Sequence, residues 1–321
     1  MKRVVVTGAG GFIGHHLVTY LKERGYWVRG VDLKYPEFTE VDADEFMLLD
    51  LRRWEQCLEA TRGVDQVYAL AADMGGMGFI SANHATILHN NALINLHTLE
   101  AAKQNGIDRY LFSSSACIYP EYLQEVTDVE PLKESDAYPA APQDAYGWEK
   151  LISELACTYY GDELDMETRI VRFHNIFGPY GTYEGGREKA PAALCRKVAN
   201  ASDGDAIDVW GDGEQTRSFC YIDDCVEGIY RLMQSDYDQP LNLGRDEMVS
   251  INQLAQSIIA ASGKTGLTLH HVDGPQGVRG RNSDNGLLRE VLGWEPAITL
   301  DEGLEPTYRW IEKQVVESAT A

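Results

Sequence analysis

The chain has 321 residues, 44% of them hydrophobic, with 50 acidic against 28 basic side chains and a formal net charge of −22. That length allows one large α/β unit with a smaller lobe, and the charge would repel nucleic acid and anionic lipid, so neither partner is expected. No apolar run approaches the roughly 18 residues of a membrane span, and Met1-Lys2-Arg3 leads straight into Val4-Val5-Val6 without an apolar leader, so a cytoplasmic location is expected. The acidity suits either an ordinary soluble surface or a saline cytoplasm. Cys57, Cys117, Cys157, Cys195, Cys220 and Cys225 form no CxxC pair and stand at no zinc-ligand spacing, so neither a disulfide framework nor a metal site is expected.

Short β-branched runs alternate with helical stretches through the first half. Strands are expected at 3–7, 27–32, 46–49, 66–70, 110–114 and 168–173, with helices over 12–24, 53–61, 82–105 and 145–160. This βαβ grammar predicts a Rossmann-type doubly wound parallel sheet. Past Phe173 the pattern turns irregular and rich in Gly, Pro and basic residues, as suits a segment that lines a ligand. A strand at 218–222, a helix to about 234 and a strand at 241–243 are expected to return to the sheet. Residues 1–173 with 218–243 then form a nucleotide-binding domain, and 174–217 with 244–321 a smaller C-terminal substrate-binding lobe. The cleft between them is the expected ligand site.

Thr7-Gly8-Ala9-Gly10-Gly11-Phe12-Ile13-Gly14 puts Gly8, Gly11 and Gly14 at the junction of the first strand and first helix. Glycines there permit a tight turn and let backbone N–H groups, Phe12 and Ile13 included, approach a pyrophosphate on the positive end of the helix. Asp32 ends the second strand, where a carboxylate accepts from the ribose hydroxyls of NAD and repels the 2′-phosphate of NADP, so NAD is the expected cofactor. Asp50-Leu51, after the third strand, resembles the pair that extended short-chain dehydrogenases place beside the adenine; a solvated turn would carry the same residues.

Tyr146-Gly147-Trp148-Glu149-Lys150 sets Tyr146 and Lys150 four apart on one helix face. It resembles the Tyr-x-x-x-Lys of the short-chain dehydrogenase/reductase superfamily, with Tyr146 as base for hydride transfer. A phenol of reference pKa about 10 needs the Lys150 ammonium and the nicotinamide charge to ionise at neutral pH. Ser115 closes the preceding strand at the position where that superfamily places a hydroxyl on the reacting oxygen. Cys117 follows. A Cys beside a strand is ordinarily a small buried hydrophobe, but strand ends in an open α/β sheet face the ligand crevice.

Ala72-Asp73-Met74-Gly75-Gly76-Met77-Gly78, Ser114-Ser115-Ala116-Cys117-Ile118-Tyr119-Pro120, Gly186-Arg187-Glu188-Lys189-Ala190-Pro191, Gln215-Thr216-Arg217-Ser218 and Arg279-Gly280-Arg281-Asn282-Ser283-Asp284-Asn285 resemble the GDP-mannose 3,5-epimerase family over essentially the whole chain. The resemblance implies an NAD-dependent epimerase acting on GDP-mannose or a related nucleotide-sugar, with Cys117 and Lys189 as an acid/base pair on opposite faces of the sugar. It also implies substrate contacts from Gly75, Ser115, Ala116, Cys117, Asn175, Glu188, Lys189, Lys197, Gln215, Arg217 and Arg281, and a homodimer formed through the two long helices of the nucleotide domain. Taken singly, Lys189 reads as a surface lysine, Asn175 as a loop cap, Gly75-Gly76 as a mobile loop, and Lys197, Arg217, Arg279 and Arg281 as solvated or salt-bridged cations.

The implied chemistry explains the pair. Hydrogens on C3 and C5 of a sugar become acidic only after C4 is oxidised to a ketone, so NAD serves as a transient oxidant and an acid/base pair inverts the carbon. A UDP-hexose 4-epimerase needs no such pair, and a 4,6-dehydratase carries a carboxylate where Ala116-Cys117 stands. A non-enzymatic NAD sensor would tolerate loss of Tyr146 and Lys150, which are retained.

Overall fold

The computed structural model describes residues 1–320. The first half runs β1 (Arg3–Thr7), α1 (Phe12–Glu23), β2 (Trp27–Asp32), β3 (Glu45–Leu48), α2 (Trp54–Thr61), β4 (Gln66–Ala69), α3 (Met77–Ala82), α4 (His84–Gln104), β5 (Arg109–Ser115), α5 (Ala145–Leu164) and β6 (Glu167–Phe173). The second half runs β7 (Ile176–Phe177), α6 (Ala190–Asn200), β8 (Ala206–Trp210), β9 (Thr216–Ser218), β10 (Cys220–Tyr221), α7 (Ile222–Gln234), β11 (Pro240–Leu243) and β12 (Met248–Ser250). It ends with α8 (Ile251–Ser262), β13 (Thr268–Val272), β14 (Gly280–Arg281), α9 (Gly286–Leu292) and α10 (Leu300–Thr320).

Seven strands form one sheet in the order β11-β6-β5-β4-β1-β2-β3, every pairing parallel. Alternation along each strand divides the core. Val4, Val6, Tyr68 and Leu111 pack with α1 and α7, while Val5, Val67, Tyr110 and Phe112 pack with α2, α4 and α5. A strand covered on both faces has no polar side, which is why β1 reads as an unbroken Val run. The order reverses between β1 and β4, and the carboxyl ends of the strands there open the crevice in which ligands of such sheets lie.

The core on the α1/α7 side continues without a break into α6, α8 and α10, so the C-terminal helices are fastened to the sheet by apolar packing. Two short pairs, β7 with β10 and β8 with β13, and the small sheet β12-β9-β14 complete this side. No helix among the described residues is long and apolar enough to cross a membrane.

Two expected elements differ. The helix expected over 82–105 starts earlier and is broken: Asn83 leaves the helical region (φ −135°, ψ 30°), and its side-chain amide donates to the Phe79 carbonyl at 2.8 Å. Asn competes for the backbone in this way and favours helix ends. The strand expected at 218–222 is three pieces: Ser218 ends β9, Cys220–Tyr221 pair with β7 outside the main sheet, and Ile222 opens α7. β11 does join the sheet, beside β6.

Candidate active site

Only Gly8, Ala9, Gly10 and Gly11 separate β1 from α1. Gly8 lies at φ +74°, a Cβ on Gly14 would stand 2.0 Å from the Gly8 carbonyl oxygen, and one on Gly10 would stand 2.1 Å from that of Lys34. Only glycine closes this turn. Gly11 caps α1 without a side chain, so the N–H groups of Phe12, Ile13 and Gly14 lack intrahelical partners at the positive end of the helix. The Asp32 carboxylate accepts from Gly10 N at 3.0 Å and Leu33 N at 2.6 Å; burial raises its pKa against the pull of these donors. Free amides for a pyrophosphate and a carboxylate for a ribose fit NAD. At the end of β3, Asp50 takes two 2.8 Å bonds from Arg52, which hold its pKa low, and the buried Leu51 accepts the Cys57 thiol through its carbonyl at 3.0 Å.

Asp144 caps α5 by accepting from Gly147 N at 2.9 Å, and a Cβ on Gly147 would meet the Cys117 carbonyl oxygen at 2.2 Å. The helix therefore presses its first turn onto the turn that follows β5, which brings Tyr146 beside Cys117. Lys150 is buried, donates to the Ser113 carbonyl at 2.9 Å and stands 5.6 Å from the centre of the Tyr146 ring. Burial drives the Tyr146 pKa well above the ordinary phenol range, with Glu149 and Cys117 adding to the rise, while a hydrogen bond with Ser115 opposes it. Burial lowers that of Lys150, and Glu149 offsets the fall. Tyr146 is accordingly a neutral phenol here, and making it a base requires added positive charge.

Ser115 also accepts from Cys117 N at 3.2 Å, and the buried Ala116 begins the 3₁₀ turn that carries Cys117. All six thiols are free; five are buried and Cys117 is partly open. The Arg281 guanidinium donates to its sulfur at 3.4 Å and to Gln124 Oε1 at 2.6 Å. Lys189, the cap residue of α6, is exposed. Desolvation lowers its pKa, and Cys117, within electrostatic reach, counteracts this.

The other expected contacts are more dispersed. Glu188 is turned onto Gly186 N at 2.7 Å and Arg196 at 3.1 Å. Gly75 packs on Phe79, which a Cβ would approach to 2.9 Å. Asn175, at φ +41°, donates to the Ser218 carbonyl at 2.9 Å. Gln215 donates to Trp210 O at 3.0 Å and leaves its Oε1 buried without a partner. Arg217 donates to the carbonyls of Thr216, Gln276 and Val278, its pKa pushed down to about 9 by burial and then by Arg281. Lys197 donates to Asp208 O at 2.6 Å. Arg279 is spent on Asp212, at 2.9 and 3.0 Å.

Two structural supports were not read from the sequence. Glu149, inside the Tyr-x-x-x-Lys segment, is buried and accepts from Asn91 and Asn95, each at 2.9 Å; the four-residue spacing of those Asn residues on α4 was the available signal. Gln124 is buried, donates to the carbonyls of Tyr119 and Pro120, and holds Arg281 in place. Nothing local in the sequence marks it.

The sequence signature described as the NAD dependent epimerase/dehydratase family matches residues 4–244. The chain is 54% identical over 315 residues to GDP-mannose 3,5-epimerase of Arabidopsis thaliana, covering 98% of this chain and 83% of that one. It is 52% identical over 320 residues to GDP-mannose 3,5-epimerase 1 of Oryza sativa subsp. japonica, covering 99% and 84%. Its fold matches UDP-glucose 4-epimerase of Thermotoga maritima with a TM-score of 0.87 at 26% identity, covering 98% of this chain and all of the other. It also matches UDP-glucuronic acid 4-epimerase of Bacillus cereus, solved with UDP-glucuronic acid and NAD, with a TM-score of 0.83 at 25% identity over 98% and 100% of the two chains. A glycine turn on a parallel sheet, a buried Tyr and Lys beside it, and this likeness along the whole length place the chain in the NAD-dependent epimerase/dehydratase family.

Proposed function

We propose that the protein converts GDP-mannose to its C5 epimer, its C3,C5 epimer or both (GDP-L-gulose, GDP-L-galactose). The observation that carries this reading is the setting of Cys117: a partly open thiol in contact with Arg281, with Tyr146 on the adjoining helix and Lys189 within electrostatic reach. Redox chemistry alone would need Tyr146 and Lys150; a second acid/base pair in the same cleft serves a carbon acid.

Gly8, Gly11, Phe12, Ile13, Gly14, Asp32, Asp50 and Leu51 hold NAD, with Lys150 on its nicotinamide ribose. Bound NAD would supply the hydride acceptor that makes C4 a ketone and, once reduced, the hydride that restores the C4 hydroxyl. Lys150 and Ser115, with the cofactor's positive charge, stabilise Tyr146 as a phenolate, which takes the proton from the C4 hydroxyl and becomes the neutral phenol. Cys117 removes the proton from the carbon next to the ketone, Lys189 protonates the opposite face, and Tyr146 finally returns its proton to O4. Residues 1–173 with 218–243 serve the cofactor, and 174–217 with 244–321 the nucleotide-sugar, where Lys197, Arg217 and Arg281 offset the diphosphate charge.

The working unit is a homodimer. Trp148, Ile152, Leu155 and Tyr159 form an exposed stripe along α5, with Leu88 and Leu96 exposed on the adjoining α4. An apolar face of this kind calls for a partner, and sedimentation of Ile152→Glu should show a monomer.

Incubation with GDP-mannose in heavy water tests the activity. Deuterium at C3 or C5 of epimerised products is expected. Inversion at C4 without label would identify a 4-epimerase, and an unchanged, unlabelled sugar would leave an NAD-binding sensor.

A further inference from the structure

Gly185 and Gly186 lie side by side at φ +85° and +86°, both exposed and with open space where a side chain would stand. This backbone region strains other residues, so the pair is a natural pivot. Between it and the rigid start of α6 lie Arg187, Glu188 and Lys189 alone.

Arg187 ties this strap across the cleft. Its guanidinium donates to Asp73 Oδ1 at 2.9 Å and to the Met74 carbonyl at 3.1 Å, and it lies 3.8 Å from the centre of the Phe79 ring. Its own carbonyl accepts from Gly76 N at 3.0 Å. The two segments approach so closely that a Cβ on Gly76 would stand 2.3 Å from the Glu188 carbonyl oxygen.

The far end of the tie is anchored. Asp73 N donates to Asn91 Oδ1 at 2.6 Å, Asp73 Oδ2 accepts from Asn90 at 2.9 Å, and Asn91 also donates to Glu149 on the helix of Tyr146 and Lys150. An exposed ion pair adds little to stability. What this one does is hold a three-residue strap in register with the helix that carries the redox residues.

We propose that Arg187 and Asp73 are positioning residues that latch Lys189 against the sugar for the second proton transfer, an inference that rests on the epimerase reading above. In that transfer the Cys117 thiolate takes the proton from the carbon beside the ketone, and the electron pair moves into the enolate. Re-formation of the ketone pushes the pair back to carbon, which takes a proton from the Lys189 ammonium as its N–H bond breaks, leaving an amine that solvent reprotonates. With Lys189 displaced, the enolate recovers its proton from the Cys117 thiol on the original face. Since that thiol exchanges with solvent, heavy water then labels recovered GDP-mannose rather than product.

The test compares wild type with Arg187→Gln, Asp73→Asn and Arg187→Lys on GDP-mannose in heavy water. Arg187 is half exposed, so the fold tolerates its loss. Arg187→Gln and Asp73→Asn should lower epimer formation about 10- to 100-fold, the scale of a misplacement of about 1 Å. Label in recovered GDP-mannose should fall far less, and Arg187→Lys should lie between. Hydrogen exchange at the Gly76 amide, which needs no substrate, should quicken in Arg187→Gln. Label falling equally in substrate and products, or an unchanged Gly76 amide, would overturn the latch. A wild-type enzyme that makes no epimer would instead sink the epimerase reading, with the Gly76 amide still deciding whether the strap is held.

Discussion

The two walls of the cleft are secured differently. On the sheet side, charges are buried and answered: Lys150 by the Ser113 carbonyl, Glu149 by two Asn amides, and Arg172 by Glu154 at 2.7 Å and by Tyr119. On the loop side the ties lie at the surface: Arg187 with Asp73, Glu188 with Arg196, Arg279 with Asp212. Breaking one member of a buried pair strands a charge at a cost of about 3–5 kcal/mol, whereas an exposed pair is worth about 1 kcal/mol or less. Rigidity belongs to the wall that carries Tyr146 and Lys150, and adjustability to the strap that carries Lys189.

The largest effect should follow from damage to the rigid wall. Tyr146→Phe removes the acid/base hydroxyl but keeps the ring, so turnover should fall on the order of 10²–10⁴-fold with NAD affinity, measured by calorimetry, nearly unchanged. Near-normal turnover would discard the assignment.

Cys117→Ser and Lys189→Ala break the other chemistry, each lowering epimer formation on the order of 10²–10³-fold; Cys117→Ser should lose C3 and C5 label by as much, whereas Lys189→Ala should still label recovered GDP-mannose. Both variants should still develop reduced-cofactor absorbance on mixing with GDP-mannose. If that signal vanishes too, the two walls do not act separately.

A smaller effect concerns cofactor choice. Like charges about 4 Å apart near a protein surface repel by roughly 1–4 kcal/mol, so NADP should bind at least about tenfold more weakly than NAD, and Asp32→Ala should narrow the gap. Equal affinities in the wild type would refute the role of Asp32.

The last prediction touches stability alone. His174 is buried beside Asn242 and Tyr119, and burial pushes its pKa down to about 3. The folded state then resists a proton that the unfolded state accepts near its ordinary value of about 6.5, so this contribution is complete above that pH and is lost as the pH falls toward 3. By pH 5 the loss is about 2 kcal/mol. Urea unfolding at pH 7 and pH 5 should show His174→Gln losing less stability than wild type by that amount; equal losses would mean that His174 takes up its proton in the folded state.

Most of the fold was legible in the sequence because β-branched runs and helical periods are local signals, and the parallel sheet follows from their alternation. The glycine turn and the shared face of Tyr146 and Lys150 were legible for the same reason, each lying within one turn or one helix. The break at Asn83 and the three- and two-residue strands β9 and β10 were not, since so short a run has no period to detect.

What the amino-acid order determined by itself is the sheet, the glycine turn and the residue types available for chemistry. The tertiary structure alone decided which of them meet. Arg281 reaches Cys117 across 164 residues and Gln124 across 157, and Arg187 reaches Asp73 across 114. Such contacts leave no spacing in the chain, because their geometry depends on how β5, α4, α6 and β14 come together around the crevice, which long-range packing sets and local preference does not.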